Sequence, residues 1–391
     1  MPTICITFFL LPLLTMAFPA PLSAAQSTDQ DQSQRPTLNR HPSSDPSATP
    51  PPNAPTPSPS SSGAPSQSPS PASTPAAQPS QPGASAESTA PSYPDLLPHY
   101  DYDSRSSLDM RETNVEKRGD VRVIELNYAG AEGNRVPAYL LIPPGKGGFA
   151  GIVYGHWLQK GSSLRDKDEF LEEALVMARA GAVCVLVDAP QARHDFVLEK
   201  DLADAMRQQS DASGHQVIDL RRAVDLLYLR ADVDRKRIGY VGHGFDAHTG
   251  AILAGVETRI DSYVLMAGSY SDEESIFASK DPQVLAYRKQ IGDDALHGFF
   301  QDYAWDDPAY FLGHTDREGI FLQFGSADHI SKEQAQKYLN MFSSKEKKME
   351  FYDSGPALNA AARLDRARWL QKRLGLKKLD EKALEDIQQL K

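Results

Sequence analysis

Short apolar runs recur along the second half of the chain, separated by amphipathic stretches, and this alternation restricts the fold more than any other feature. "FAGIVYGH" (149–156) and "AVCVLVDAP" (182–190) are apolar almost without a break, as in strands covered on both faces. "RIGYVG" (237–242), "SYVLMAG" (262–268), "GIFLQFG" (319–325) and "KKMEFYD" (347–353) continue the series. Helical patterns fall between them. "DKDEFLEEALVMARAG" (166–181) has acids in its first turn and Gly181 as a C-cap. A stretch from His215 to Arg230 puts Val217, Leu220, Val224 and Leu227 on one face, and a last helix is expected from Leu358 to Leu374. Upstream, "VRVIELNYAG" (121–130) and "NRVPAYLLIPPG" (134–145) alternate as two half-exposed strands joined by a Gly-rich turn. The expected class is α/β, a mostly parallel central sheet with helices on both faces. Tyr270 to Trp305 is too long for a simple connection and is expected to be a small helical insertion before the strand at 319–325.

Composition divides the 391 residues into three parts. Residues 1–25 carry no charge, with an apolar run from Ile4 to Leu14 and small residues Ser23-Ala24-Ala25, which fits a signal peptide and export to the periplasm, envelope or medium. Residues 26–94 are almost entirely Pro, Ser, Ala, Thr and Gln, a composition too poor in apolar groups to offset the entropy of ordering, and are expected to form a disordered linker. Residues 95–391 form the single globular domain. Cys5 would leave with the signal peptide, so Cys184, inside an apolar strand, remains as a buried inert thiol, with no disulfide or cysteine metal site. The net charge of −11 argues against nucleic acid or an anionic membrane as partner. "PPGKGG" (143–148) lacks the strand-loop-helix context of a phosphate loop, and no cofactor is expected.

The stretch "RIGYVGHGFDAHTGAILAG" (237–255) runs from strand through a sharp Gly-His-Gly-Phe-Asp turn into a small-residue helix. Together with the "NRVPAYLLIPPG" hairpin, "GHW" (155–157), "ARAGAVCVLVDAP" (178–190), "QFGSADHIS" (323–331) and "YDSGPALNAAARLDRARWL" (352–370), it resembles the α/β-hydrolase superfamily, nearest to bacterial dienelactone-hydrolase-like and prolyl-oligopeptidase-like esterases. The likeness spans about Tyr100 to Leu376. It implies a Ser nucleophile at the turn, an Asp after a late strand and a His after the last strand. Asp328 matches the acid, but Gly244 stands at the nucleophile position and Pro356 at the base position. Glycine has no atom to attack a carbonyl, and proline cannot exchange a proton. The resemblance therefore implies an inactive pseudo-hydrolase. Two alternatives remain: an active esterase with another arrangement around Asp328, and an envelope scaffold partnering through the linker or cap.

Asp246, where a glycine is usual, is either a first-turn helix acid or a carboxylate that binds a cation or amine in the old pocket. As a nucleophile it would lie two positions past the tip and lack a base. Ser326 and Ser354 are loop-capping serines or displaced nucleophiles, and His329 a displaced base. His243 and His248 near Asp246 lack a fixed third ligand, so no metal is expected. The resemblance implies that His156 or Trp157 and the Phe245 N–H form an oxyanion hole able to hold an ester- or carboxylate-like ligand. Trp157, Phe196, Phe299 and Trp305 either line that pocket or belong to the core.

Overall fold

A computed structural model describes residues 90–158, 165–315, 318–328 and 330–388. The expected signal peptide (1–25), the linker up to residue 89, and His329 lie outside the described residues.

A short helix, α1 (Tyr93–Leu96), opens a lead-in that reaches strand β1 (Arg111–Arg118). Strands β2 (Val121–Ala129), β3 (Arg135–Ile142) and β4 (Phe149–Gly155) follow, then α2 (Leu171–Arg179), β5 (Ala182–Val187), α3 (Leu202–Tyr228), β6 (Val233–His243) and α4 (Phe245–Val256). After β7 (Ser262–Met266) come α5 (Asp272–Ala278), α6 (Pro282–Ile291) and α7 (Asp293–Asp302). The chain closes with β8 (Gly319–Gly325), α8 (Lys332–Met341), β9 (Lys347–Tyr352), α9 (Ala360–Leu374) and α10 (Glu381–Asp386).

The nine strands form one sheet in the order β1-β2-β3-β5-β4-β6-β7-β8-β9. The first three are antiparallel to their neighbours, and β5, β4, β6, β7, β8 and β9 run parallel. All residues of β4, β5, β7 and β8 are buried, as their unbroken apolar character requires. One core lies between the sheet and α3, α4 and α8, and takes in Val217, Leu220, Val224 and Leu227. The other face is covered by α2, α9 and α10, through Leu175, Met177, Leu370, Leu374 and Leu384. Each buried Val, Leu or Ile contributes roughly 1.5–3 kcal/mol relative to an exposed one.

Several boundaries differ from expectation. The helix expected from His215 begins at Leu202, capped by the Asp201 carboxylate on the N–H groups of Ala203 and Asp204. Its added half buries Gln209, Ser210 and Ser213, a polar face that leaves no apolar stripe in the sequence. The segment at 166–181 opens as a 3-10 turn (Lys167–Phe170) before α2, and the last expected helix starts at Ala360, capped by Asn359. The lead-in holds an unexpected edge strand, β1, and the domain takes in Tyr93, whose hydroxyl donates to the Gly255 carbonyl at 2.6 Å. The insertion after Tyr270 is helical as expected, with a small core of its own: Ile276, Val284, Tyr287 and Leu296 against Ala205 and Met206 of α3. Cys184 is buried, and burial pushes its thiol pKa up.

Candidate functional site

Strand β6 delivers the chain to a sharp turn whose tip is Gly244, at φ 58° and ψ −106°. Side chains rarely tolerate that conformation, and glycine adopts it without a Cβ clash. The turn is tied down on both sides: the Gly244 N–H donates to the Met266 carbonyl at 2.8 Å, and its own carbonyl accepts from Ala247 and His248. No side chain projects from the tip.

The neighbouring strand ends are laced to one another. Ala267 N–H donates to Gln323 O, Ser326 N–H to Tyr352 O at 2.7 Å, and Ala327 N–H to Ser354 O at 3.0 Å. Asp328 follows β8, half-buried, its N–H on the Gly325 carbonyl. Pro356 follows β9, and its carbonyl lies 2.9 Å from Nε2 of His243, the residue before the tip. The three positions singled out in the sequence, Gly244, Asp328 and Pro356, are thus carried by loops at one end of the parallel strands.

A residue that sequence reasoning assigned only to a helix's acidic first turn completes this arrangement. Glu169, its side chain 6% exposed, sits against His243 with Oε1 at 2.5 Å from Nδ1. Its other oxygen accepts the Trp157 N–H at 2.7 Å. A carbonyl can only accept, so His243 Nε2 carries a proton towards Pro356, and Nδ1 and Glu169 share a second. Both imidazole nitrogens are occupied, and the Trp157 indole packs over the same ring with centroids 4.7 Å apart. The Trp157 N–H, expected as an open donor, is engaged from within the protein. No spacing in the sequence signals this, because the two partners are 74 residues apart.

Asp246 faces the floor of the turn rather than solvent. It is fully buried and accepts from Gln216 Nε2 at 2.9 and 3.1 Å, from Thr249 Oγ1 at 2.8 Å, and from the His156 backbone. Burial pushes its pKa up to about 6, against the lowering effect of His156 and of these hydrogen bonds. Room for it comes from Gly155, where a Cβ would stand 2.5 Å from the Asp246 Cβ and Cγ. Asp246 lies in the first turn of α4, as a first-turn helix acid would, and its partners are side chains of α3 and α4 and the loop after β4.

His156 is buried, its Nε2 accepting from Ala189 N–H at 3.0 Å and its Nδ1 donating to Trp157 O at 3.0 Å, so it too is fully used. Phe245 is buried at the start of α4. The four aromatic residues that would either line one pocket or belong to the core are dispersed. Phe299 and Trp305 line a groove of about 750 Å³ with His99 and Tyr303, Phe196 lines another of about 1070 Å³ beside α3, and Trp157 covers His243. Ser326 and Ser354 occupy the turns after β8 and β9. His248 points into the insertion, beside Asp272 and Asp306. Among the described residues no group of three or more His, Cys, Asp and Glu is arranged to hold a metal ion.

No protein-family model and no curated protein matches the chain. Solved structures do. An acetyl xylan esterase from Thermoanaerobacterium sp. JW/SL YS485 superposes with a TM-score of 0.55 at 15% identity, over 72% of this chain and 92% of that one. An acetyl xylan esterase from Paenibacillus sp. R4 gives 0.57 at 14% identity, over 72% and 93%. A methylesterase gives 0.51 at 17% identity, over 75% and 63%. At such identities the likeness is one of architecture, and it agrees with the sheet order, the covering helices and the sharp turn after β6: this chain has the α/β-hydrolase fold.

Proposed function

We propose that this is an exported, catalytically silent pseudo-hydrolase. The observation that carries the reading is the pairing of a strained turn, which a hydrolase uses to present its nucleophile, with glycine at its tip. Losing Ser or His alone from such a site costs on the order of a millionfold in turnover. Here Gly244 and Pro356 stand at both positions. His243 does not replace the base, since both its nitrogens are engaged.

The self-contained hydrogen bonding sharpens the proposal. The His156 and Trp157 N–H groups meet the internal carboxylates Asp246 and Glu169. An incoming carboxylate at either of these N–H groups would have to displace the internal one. This departs from the ester- or carboxylate-like ligand that the resemblance implies. The charge-free apolar start and the Pro/Ser tract support an exported protein spaced away from its attachment, with an envelope partner. The test is intact-mass analysis of the full chain after exposure to an alkyl fluorophosphonate, which phosphonylates an activated serine with loss of fluoride. No adduct is expected, and a stoichiometric adduct would overturn the proposal.

A further inference from the structure

Two arginines, one turn apart at the start of α9, are treated unequally. Arg366 is met by a carboxylate: Glu173 of α2 accepts from its Nε at 3.0 Å and from its Nη2 at 2.5 Å. Arg363 is also buried, 8% exposed against 5%, yet among the described residues no carboxylate forms an ion pair with it. Its Nη1 donates to the carbonyls of Leu384 and Ile387 at the end of α10, at 2.7 and 3.1 Å. Its Nε and Nη2 have no hydrogen-bond acceptor among the described residues. Arg363 lines a cavity of about 560 Å³ between α9, α10 and the turn before α2. Phe170, Met266, Ala357, Ala383 and Ile387 give that cavity an apolar wall.

A buried guanidinium without a counter-charge is costly, and two carbonyls do not supply one. Burial, and after it the neighbouring Arg366, lower the Arg363 pKa, and Glu173, already committed to Arg366, offsets only part of this. The Nε–Nη2 edge of an arginine is a planar pair of parallel donors that matches the two oxygens of a carboxylate. The other acids around the cavity are engaged: Glu169 by His243, Glu172 by Arg118, Asp386 by Lys382, and Asp168 by the Tyr139 hydroxyl. They leave one positive charge to be neutralised, and their own charges oppose a ligand that brings more than one. The apolar wall favours a carboxylate with a hydrocarbon body.

We propose that this cavity binds a small aliphatic monocarboxylate, its two oxygens on Arg363 Nε and Nη2 and its chain against Phe170, Met266 and Ile387. The site adjoins the elbow, since Glu169 holds His243 and the Met266 carbonyl holds the Gly244 N–H, but no atom of the elbow tip takes part in it. The proposal does not depend on whether the elbow is catalytic.

Calorimetric titration of the full chain with hexanoate tests it, with hexanamide and inorganic phosphate as the neutral and the multiply charged comparison. Hexanoate should bind at one site in the millimolar range or tighter, and hexanamide and phosphate at least tenfold more weakly. Arg363→Gln should weaken hexanoate binding at least tenfold, and Arg363→Lys, which keeps the charge but loses the planar fork, should fall between. Ala357→Phe fills part of the cavity and leaves Arg363 in place, and it should weaken hexanoate binding too, so the test does not rest on the stability of one variant. Absence of hexanoate binding, binding left unchanged in Arg363→Gln or in Ala357→Phe, or hexanamide or phosphate bound as tightly as hexanoate would overturn the proposal.

Discussion

Two histidines flank the turn at Gly244, and they are used in opposite ways. His243, just before the tip, meets one carboxylate and one carbonyl, so donors and acceptors match one to one. His248, four residues after it, stands among three carboxyl groups. The first arrangement is a plug of internal hydrogen bonds, with Glu169 and the Pro356 carbonyl on the two imidazole nitrogens. The second holds His248 3.7 Å from Asp272 and 3.5 Å from Asp306. The same short stretch of chain therefore holds one histidine between a carboxylate and a backbone carbonyl and another among carboxylates that raise its pKa to about 9.

Breaking the plug should give the largest effect. Glu169→Ala strands the His243 Nδ1 and the Trp157 N–H together, and should lower unfolding stability in urea by about 4 kcal/mol. Glu169→Gln, which can still accept from Trp157, should cost less than half of that. The pH response separates the two histidines next. Between pH 6.5 and 9 the wild-type chain should lose up to about 3 kcal/mol as His248 gives up its proton. His248→Gln should remove that decline, leaving the one below pH 7 that comes from Asp306 and Asp307, and His243→Gln should retain both.

Smaller effects probe the floor of the turn. Gly155→Ala should cost about 2 kcal/mol by overpacking against Asp246, and the penalty should largely vanish in an Asp246→Gly background, giving a clear coupling energy in the double-mutant cycle. Gly244→Ser should cost about 1 kcal/mol, read from thermal or urea unfolding, because it places a Cβ at φ 58°.

Much of this molecule was legible in its sequence, and the exceptions have physical reasons. Strands β4, β5, β7 and β8 announce themselves because burial on both faces demands unbroken apolar runs. β1 does not: "RETNVEKR" is an exposed edge strand whose charged residues carry no alternation. The first half of α3 was hidden for a related reason, since it buries the polar Gln209, Ser210 and Ser213 and so leaves no hydrophobic stripe. Gly244, Asp328 and Pro356 could be picked out because they sit in local motifs. Glu169 could not, because its role exists only where β4, β6 and the turn before α2 converge. Asp246 illustrates the same limit: its position in the first helical turn was visible, but its close approach to Gly155 on another strand was not.

The most direct test is steady-state hydrolysis of an activated acetyl ester by the full chain beside its Asp328→Ala variant. Equal rates at the level of uncatalysed background are what Gly244 at the nucleophile position and Pro356 at the base position predict. Turnover well above background in the native chain, abolished by Asp328→Ala, would contradict the account and show that the site near Gly244 still performs acyl transfer.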